Sequence, residues 1–398
     1  MSEWKKVKLG DLYTVHNGLS KGRKFFGKGF PFLSFTTVFN HYFIPDRLDS
    51  LVLSTEKERE ACSIRRGDVF ITRTSETMDE LGMSCVALKD YPNATYNGFT
   101  KRLRPITEEE TLPEFIGYYL RSPQFRGKFM AFSAMTTRAS LANDQLLSME
   151  ICYPNMDQQR KIAYILSRYD SLISNYQRQI KLLEEAAQRL YKEWFVDLHF
   201  PGYENTKIVD GVPEGWRRDA KLSSIADIIM GQSPKSEFYN DKKIGLPFHQ
   251  GVGSYGDRFV VNNTYSSQYT RIAEKNSILF SVRAPVGRIN INKEKIAIGR
   301  GLASIKEKNG YQSFLFYLLK HMFFRDNIIG NGAIFASITR EQLYDLNVMF
   351  PPLKLVRGFN DKAKIIDARI FNIDSQLRLL TEARDRLLPK LMSGEIEV

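Results

Sequence analysis

Cysteine is scarce in this chain of 398 residues, which holds only Cys62, Cys85 and Cys152. An odd number at wide spacing fits neither a disulfide framework nor a zinc site, so we expect a reducing, cytoplasmic location. Histidine is scarce too, and the five histidines show no metal-ligand spacing. Nowhere do about 18 uncharged apolar residues run together, and the N-terminus has no apolar signal stretch. We therefore expect neither membrane insertion nor secretion.

Motifs for chemistry on DNA are also missing. The string nearest to the Asn/Asp-Pro-Pro-aromatic motif of base methyltransferases begins with Phe350, the wrong residue. Asp46 and Asp241 each lack the second carboxylate that a magnesium-dependent nuclease needs. Residues 22–28 fit the spacing of a P-loop, but Gly29 stands where Ser or Thr should ligate magnesium. We expect no catalytic residue, metal or cofactor, and we interpret residues 22–28 as a basic, aromatic loop suited to phosphate contact.

The overall composition is that of a globular and basic protein. Hydrophobic residues make up 43% and charged residues 26%, which excludes a disordered or fibrous chain. The length predicts two or three domains at about 150 residues each. Lys and Arg outnumber Asp and Glu by 57 to 45, giving a net charge of +12. Such a charge is typical of a polyphosphate partner, although solubility or a protein partner would also account for it.

The sequence repeats itself. Residues 140–154 read SLANDQLLSMEICYP and residues 337–351 read SITREQLYDLNVMFP, an offset of 197 without a gap. The same offset continues into the segments that follow. At the front of each half, Leu9, Gly18 and Ser20 correspond to Leu222, Gly231 and Ser233, with a slightly different offset. The chain is therefore an internal duplication whose two lobes differ in loop length.

Each half is predicted to be a mixed lobe followed by one long helix. Apolar runs at 68–72 and 277–281 predict strands, and residues 114–120 and 313–319 predict helices. The predicted boundaries are 1–153 for the first lobe, 154–199 for the central helix, 200–352 for the second lobe and 353–398 for the last helix. The periodicity does not predict the strand order.

Apolar residues follow a strict four-three alternation in both helices, which is the seam of a coiled coil. An alternative is that each helix packs only on its own lobe, but a 3.5-residue repeat over some four heptads favours a supercoiled partner. The predicted helix-pairing residues are Ile162, Leu166, Tyr169, Ile173, Tyr176, Ile180, Leu183, Leu190, Phe359, Ile366, Ile370, Ile373, Leu377, Leu380 and Leu387. Arg384 is the one residue of the seam that is out of character.

The predicted fold class is α+β, with two mixed α/β lobes separated by two long helices that form an antiparallel coiled coil. Such a pair would place the lobes at opposite ends, related by a pseudo-two-fold axis. A helix over residues 157–196 would be about 60 Å long. One turn of B-DNA measures about 34–36 Å, so the lobes would meet a duplex one turn or somewhat more apart.

Arg and Lys stand beside small polar residues at predicted strand ends and turns, a pattern that favours groove reading. A solvated surface charge is the alternative for any single residue, so the prediction concerns the set. The DNA-binding candidates are Lys21, Arg23, Lys24, Arg73, Thr74, Ser75, Lys101, Arg102 and Arg138 in the first lobe, and Ser233, Lys235, Tyr255, Arg258, Arg283, Arg288 and Arg300 in the second.

The junctions between lobes and helices carry a family resemblance. The strings YKEWFVD from Tyr191, FPG from Phe200, VPEGW from Val212 and LMSGEI from Leu391 resemble the conserved regions of specificity subunits of Type I restriction-modification systems. Pro154, Met156, Gln159 and Ile162 resemble the family's helix-start pattern. The second helix departs from that pattern at Val356, where the family usually has Gln.

The resemblance implies that each lobe is a target recognition domain for one half of an asymmetric, bipartite DNA site. It also implies two modification subunits that supply S-adenosylmethionine and adenine methylation. Restriction subunits with ATP-driven translocation, cleavage and magnesium would complete the complex. Two alternatives stay open from the sequence: a self-sufficient DNA methyltransferase or nuclease, and a coiled-coil scaffold without a DNA role.

Overall fold

The computed structural model describes residues 4–73, 81–134, 142–323 and 337–398. The chain divides into two compact units, Met1–Tyr176 with Gln376–Val398, and Gln177–Ser375. Both dividing points lie inside a long helix, so each unit contains one lobe and a part of each helix. The predicted domain boundaries, which treat the helices as separate elements, stay a prediction.

The first unit holds a lobe of nine strands and six short helices within the described ranges. Its strands are β1 (Lys5–Lys8), β2 (Tyr13–Asn17), β3 (Phe26–Leu33), β4 (Leu51–Val52), β5 (Val69–Thr72), β6 (Ser84–Val86), β7 (Thr95–Tyr96), β8 (Thr100–Pro105) and β9 (Glu150–Tyr153). Its helices are α1 (Leu9–Leu12), α2 (Phe35–Asn40), α3 (Glu56–Ala61), α4 (Pro113–Tyr119), α5 (Pro123–Ala134) and α6 (Asn143–Ser148), followed by the first part of the long α7 (Met156–Phe195).

The second unit repeats this plan after the end of α7. Its strands are β10 (Ile208–Val209), β11 (Val212–Pro213), β12 (Arg217–Lys221), β13 (Ala226–Met230), β14 (Tyr239–Asn240), β15 (Leu246–His249), β16 (Tyr265–Ser266), β17 (Ile272–Ala273), β18 (Ile278–Ser281), β19 (Ile289–Ile291), β20 (Ile296–Ile298), β21 (Leu302–Glu307) and β22 (Asn347–Phe350). Its helices are α8 (Leu222–Ile225), α9 (Gln312–Phe323) and α10 (Arg340–Tyr344), followed by the first part of the long α11 (Leu353–Ser393).

The two lobes share one strand order. The four-stranded antiparallel sheet runs β2-β8-β5-β6 in the first lobe and β13-β21-β18-β19 in the second. A second sheet contains a parallel pair, β3 with β7 and β15 with β20 respectively. In both lobes the first strand pairs with the last, β1 with β9 and β12 with β22. The duplicated sequence therefore forms the same four-stranded sheet twice, while the second sheet has three strands in the first lobe and five in the second.

The central strands β5 and β18 are apolar because they are covered on both faces. Every residue of both strands is buried, so their sequences show continuous runs instead of alternation. Helices α4 and α9 supply much of the cover, through residues such as Phe115 and Phe314, which are fully buried. The predicted strands at 68–72 and 277–281 and the predicted helices at 114–120 and 313–319 are confirmed, with bounds that differ by one to four residues.

A glycine that recurs in both halves is required by close backbone approach. A Cβ at Gly18 would lie 2.1 Å from the carbonyl oxygen of Asn97, and a Cβ at Gly231 would lie 2.2 Å from that of Gly299. In each lobe the loop after the first strand of the four-stranded sheet thus lies against the turn before β8 or β21. The repeat of Gly18 and Gly231 reflects this contact.

The long helices start and stop at identifiable signals. Asn155 caps α7, because its side-chain oxygen accepts a hydrogen bond from the Gln158 N–H at 3.0 Å. Gly394, with φ of 74°, follows the end of α11 in the left-handed conformation that helix C-termini favour. The helix predicted over residues 157–196 is confirmed within one residue. No helix in the described parts of the chain is both long and apolar enough to span a membrane.

The departure at Val356 has a local explanation. Gln159, near the start of α7, is buried, accepts the Leu112 N–H at 2.8 Å and donates to the Glu110 carbonyl. It thereby holds the start of α4. Val356 is buried at the matching position of α11 and has no such group, but Asn360, one turn later, accepts the N–H of Phe314 in α9. The polar link between long helix and lobe helix has therefore moved by one turn.

Candidate nucleic-acid interface

One end of the first lobe's four-stranded sheet holds a half-buried arginine and an exposed aromatic ring. Arg73 follows β5, and its backbone N–H donates to the carbonyl of Phe99 at 3.0 Å, just before β8. Asn97 shapes this turn by accepting the Phe99 N–H at 2.7 Å. The Phe99 side chain is 59% exposed, which is unusual for so large an apolar group. An exposed ring beside a guanidinium suits stacking on, or contact with, nucleotide bases.

The loop between β2 and β3 presents positive charge at the surface. Arg23 and Lys24 lie on an exposed 3₁₀ turn, and neither makes an ion pair within the described ranges. Lys24 lies 5.2 Å from the centre of the Phe25 ring. Lys21 differs, because its ammonium donates to Glu58 at 2.7 Å and to the Leu53 carbonyl. A strand, β3, follows this loop, so the phosphate-binding helix of a P-loop is not formed here.

Two candidates of the first lobe are interior residues, and the prediction that they contact DNA is corrected. Arg102 is buried and donates to the Ser63 carbonyl at 2.7 Å. Lys101 is buried and donates to the side-chain oxygen of Asn143. Burial lowers the pKa of Lys101, and the charge of Arg73 lowers it further. Lys101 and Arg102 are neighbours on β8, so their side chains point to opposite faces of the sheet, and both faces are covered at these positions. Thr74, Ser75 and Arg138 lie outside the described residues.

The corresponding sheet end of the second lobe is organised by Ser233. Its hydroxyl accepts the backbone N–H of Arg300 at 3.1 Å and donates to the Gln250 side-chain oxygen at 2.7 Å. These bonds hold the loop after β13 against the turn before β21. The backbone of Arg300 is thereby fixed while its side chain is exposed. A fixed backbone with a free guanidinium is a suitable arrangement for base or phosphate recognition.

A cationic cavity lies at this sheet end. It has a volume of about 470 Å³, and Arg283, Arg300 and Arg340 line it together with the hydroxyl-bearing Ser337 and Thr339. No carboxylate is among its lining residues. Within the parts of the chain that the structure describes, Arg283 and Arg300 make no ion pair. Three guanidinium groups around one concavity favour an anion or an acceptor-rich base edge such as guanine O6 and N7.

The remaining candidates of the second lobe divide between surface and interior. Lys235 and Arg288 are exposed. Tyr255 directs its hydroxyl inward and donates to the Leu279 carbonyl at 2.8 Å, and burial raises its pKa. Arg258 is buried, with ion pairs to Glu184 and Asp367 of the long helices. The prediction that Arg258 and the Tyr255 hydroxyl contact DNA is therefore corrected.

Every predicted helix-pairing residue is buried or half-buried. Those in the first unit are Ile162, Leu166, Tyr169, Ile173, Tyr176, Leu377, Leu380 and Leu387, and those in the second are Ile180, Leu183, Leu190, Phe359, Ile366, Ile370 and Ile373.

Within each unit the two helix segments run in opposite directions. In the first unit Ile162 and Leu391 line one small cavity, while Asp170 pairs with Arg384 at 2.8 Å. Moving forward along α7 thus means moving backward along α11. In the second unit Glu184 and Asp367 bind the same arginine. Further along α7, the Tyr191 ring lies 5.6 Å from the Phe359 ring.

The sequence patterns missed several residues of the sheet ends. Phe99 follows Asn97 and Gly98 in a turn signal, and an aromatic directly after such a turn is the available clue. Arg340 lies in the repeated segment 337–351, at the position where the first lobe has Asn143. An arginine that replaces asparagine between otherwise similar segments is the sequence signal for this residue. Gln250 gives no sequence signal, because its partner Ser233 is 17 residues away.

The described residues contain no group of three or more His, Cys, Asp or Glu side chains arranged to hold a metal ion. Both lobes instead have basic side chains at the same end of the four-stranded sheet, with the exposed Phe99 ring in the first lobe and the hydroxyl groups of Ser337 and Thr339 in the second. Proteins that recognise DNA by contacts with its grooves and phosphates use this combination.

A family model described as the Type I restriction modification DNA specificity domain matches the chain twice, over residues 1–185 and 213–385. The chain belongs to this family. It is a specificity subunit of a Type I restriction-modification system, with a role in DNA sequence specificity. The two matches contain the two lobes, in agreement with the internal repeat.

Related proteins match over the whole chain. It is 27% identical to the putative Type I restriction enzyme MjaX specificity subunit of Methanocaldococcus jannaschii, over 100% of this chain and 94% of that one. It is 23% identical to the Type I restriction enzyme HindI specificity subunit of Haemophilus influenzae, over 100% of both. A crystal structure of the S subunit of a Type I system from M. genitalium has the same fold, with a TM-score of 0.62 at 16% identity over 98% of this chain and 96% of that one.

Proposed function

We propose that each lobe reads one half of a bipartite, asymmetric DNA site. The observation that carries this proposal is that the same sheet end in both lobes bears solvent-accessible basic and aromatic side chains of different identity. Arg73 and Phe99 occupy it in the first lobe, and Arg283, Arg300 and Arg340 occupy it in the second. Two lobes that share a sheet topology but carry different side chains at the same position are suited to reading two different half-site sequences.

The long helices form an antiparallel coiled coil that sets the unread gap between the half-sites. Support comes from the opposite direction of the helix segments within each unit and from the burial of the seam. The repeat and the shared order of the four-stranded sheets support a pseudo-two-fold relation between the halves. At 1.5 Å per residue, the 40 residues of α7 correspond to about 60 Å.

The chain performs no chemistry of its own in this proposal. Two modification subunits dock along the helices and lobes and supply S-adenosylmethionine and adenine methylation. Restriction subunits bring ATP, magnesium and cleavage. The support is the missing catalytic motifs in the sequence together with the family to which the chain belongs.

Footprinting of the assembled complex on its methylated target tests the proposal. We expect two protected patches separated by an unprotected gap. An Arg283→Ala/Arg300→Ala variant should lose the patch of the second lobe and keep that of the first. A single contiguous patch, or none, would contradict two separated readers. Methyl transfer by the purified chain without any other subunit would contradict the non-catalytic role.

A further inference from the structure

A groove lies between the second lobe and helix α11, away from the DNA-reading end. Its volume is about 480 Å³. Phe259, Phe316 and Phe371 form an aromatic floor, and the Phe259 and Phe371 ring centres are 5.7 Å apart. Phe259 and Phe316 are buried and Phe371 is half-buried, so Phe371 presents most of the aromatic surface of the groove. Aromatic rings in a concave site are typical of protein recognition surfaces, where they bury large areas at low cost in conformational entropy.

The exposed charged side chains that line this groove are all positive. Lys275, Lys306 and Lys364 line it, are exposed, and make no ion pair within the described ranges. The two acidic lining residues are occupied internally. Asp367 binds Arg258 and Tyr317, and Glu307 accepts backbone N–H groups of the turn before α9. The field in the groove therefore favours an anionic occupant.

A buried donor in the wall of the groove adds to this preference. Arg258 lines the groove and is 4% exposed. Its Nε–H has no hydrogen-bond acceptor in the described part of the chain. A buried donor without an acceptor costs free energy, and a carboxylate that enters the groove is one way of satisfying it.

The position of the groove separates it from the DNA site. Lys275 and Asn276 precede β18, while Arg283 follows the same strand. Seven residue steps of extended chain from Asn276 to Arg283 span about 20 Å. Lys306, near the end of β21, lies on the groove side as well. A duplex in contact with Arg283 and Arg300 is thus at the opposite end of the sheet, which favours a protein as the occupant of the groove.

The matching surface of the first unit is neutralised. Arg66 stands three residues before β5, as Lys275 does before β18, and pairs with Glu114 at 3.0 Å. Arg104 is the fifth residue of β8, as Lys306 is of β21, and pairs with Asp68 at 2.7 Å. Two lysines that are free in the second unit thus correspond to paired arginines in the first, so the cationic groove is a property of one half.

We propose that this groove binds an acidic segment with an aromatic or large aliphatic side chain, carried by one of the two modification subunits. The inference rests on the proposed function, which brings two copies of that subunit to the chain. Because the groove belongs to one half, the two copies bind inequivalently. The segment packs its apolar side chain against Phe371 on the groove side, and its carboxylates face the three lysines.

The test compares two double charge reversals in the full chain assembled with modification subunits. Lys275→Glu/Lys364→Glu reverses the groove, and Lys207→Glu/Lys242→Glu changes the net charge equally at exposed positions outside it. Binding is titrated at low and high salt, and stoichiometry is read by native mass spectrometry. We expect the groove variant to bind its second modification subunit at least about tenfold more weakly at low salt, with the difference shrinking at high salt. The control should match the wild-type chain.

A Phe371→Ala variant separates the aromatic contribution from charge. It should weaken the same binding step without a comparable salt dependence. Equal binding by groove variant, control and wild type would overturn the groove proposal and leave the proposed function intact. Weaker DNA binding by the groove variant, with subunit binding unchanged, would identify the lysines as phosphate contacts and also overturn it. A wild-type chain that binds no modification subunit would overturn the proposed partner itself.

Discussion

Single residues decide how each unit neutralises a half-buried aspartate of a long helix. In the second unit Asp367 accepts from Tyr317 at 2.8 Å, and Arg258 bridges Asp367 and Glu184. Burial alone would lower the pKa of Arg258, but Asp367, Tyr317 and Glu184 raise it above its ordinary value. The sequence could not predict this role, because the two carboxylates lie 109 and 74 residues away from Arg258. No charge pattern within a single segment connects these three residues.

Replacement of Arg258 by leucine should destabilise the chain strongly. It would leave Asp367 without a cation partner and Glu184 with Lys320 alone, at 3.4 Å. Removing one partner of a buried pair costs about 3–5 kcal/mol, and the partial exposure of both carboxylates places the loss at the lower end of that range. Urea denaturation of the Arg258→Leu variant measures the free energy of unfolding. Adding Glu184→Gln and Asp367→Asn should restore part of the loss. A single variant as stable as the wild type would contradict the role of Arg258 as an interior counter-charge.

In the first unit, the corresponding aspartate of α7 is neutralised by an arginine of α11. Asp170, which precedes Asp367 by 197 residues, accepts from Tyr118 at 2.6 Å and from Arg384 at 2.8 Å. This explains why the seam of α11 contains an arginine at a position where the heptad pattern predicts an apolar residue. The pattern identified Arg384 as irregular but could not indicate its partner, 214 residues earlier.

His249 makes the stability of the second unit depend on pH. It is buried, with its ring nitrogens bonded to Ser254 at 2.7 Å and Asn262 at 2.9 Å. Burial lowers its pKa below the ordinary value of 6.5, although the bond to Asn262 opposes this. The unfolded chain therefore takes up this proton first, so the contribution of His249 is present above pH 6.5 and is lost as pH falls below it.

A His249→Gln variant should remove this part of the pH dependence. The free energy of unfolding is measured at pH 7.5 and pH 5.5 for both proteins, and the wild type should lose more stability between them. Carboxylate effects are common to both proteins and cancel in the comparison. Since glutamine does not titrate, the remaining difference reports the protonation of His249. Equal losses would show that His249 is not protonated on unfolding.

Arg300 should determine the preference for one base pair in the half-site of the second lobe. An Arg300→Ala variant is expected to lose about 1–3 kcal/mol of discrimination at that position, because a guanidinium that bridges guanine O6 and N7 would be missing. Methylation sequencing gives the readout. Lys235→Ala is the matched control, and as a phosphate contact it should weaken binding to all sequences alike. Uniform weakening by Arg300→Ala would place that side chain on the phosphates as well.

At the scale of elements, local sequence patterns predicted where strands and helices lie better than they predicted which strands pair. The buried strand at 69–72 and the long helix at 156–195 follow from short-range patterns. The strand order does not, because β2 pairs with β8 at positions as distant as Tyr13 and Pro105. Parallel pairs such as β3 with β7 add crossovers that no local period reports. The seam is visible in the sequence because it is a long, regular repeat.

A charge in this seam should be far more damaging than one beside it. Ile370 is fully buried, whereas Ile365 on the same helix is 73% exposed. Ile370→Asp should cost about 3 kcal/mol or more, because the carboxylate is buried without a partner or is protonated at a cost. Ile365→Asp should change the free energy of unfolding by less than about 0.5 kcal/mol. Similar stability of the two variants in chemical denaturation would contradict the seam assignment.

At the scale of the whole molecule, the proposed coiled coil makes helix length a determinant of the DNA target. The segments 174–180 and 371–377 are one repeat apart in the sequence, and each contains a point where the compact units divide. Removing both takes out one heptad from each helix and keeps the seam in phase. It also leaves Asp170 with Arg384, and Glu184 with Arg258, outside the deleted residues.

This double deletion should shorten the preferred gap between the half-sites and spare their sequences. Seven residues correspond to about 10 Å of helix, or about three base pairs at 3.4 Å each. Methylation sequencing of cells that carry the variant with its modification subunits reports both quantities. Deleting residues 174–180 alone mismatches the two seams and should abolish modification, which serves as the control. An unchanged gap in the double deletion would show that the helices do not measure the distance, because the strands that carry both sheet ends lie outside the deleted residues.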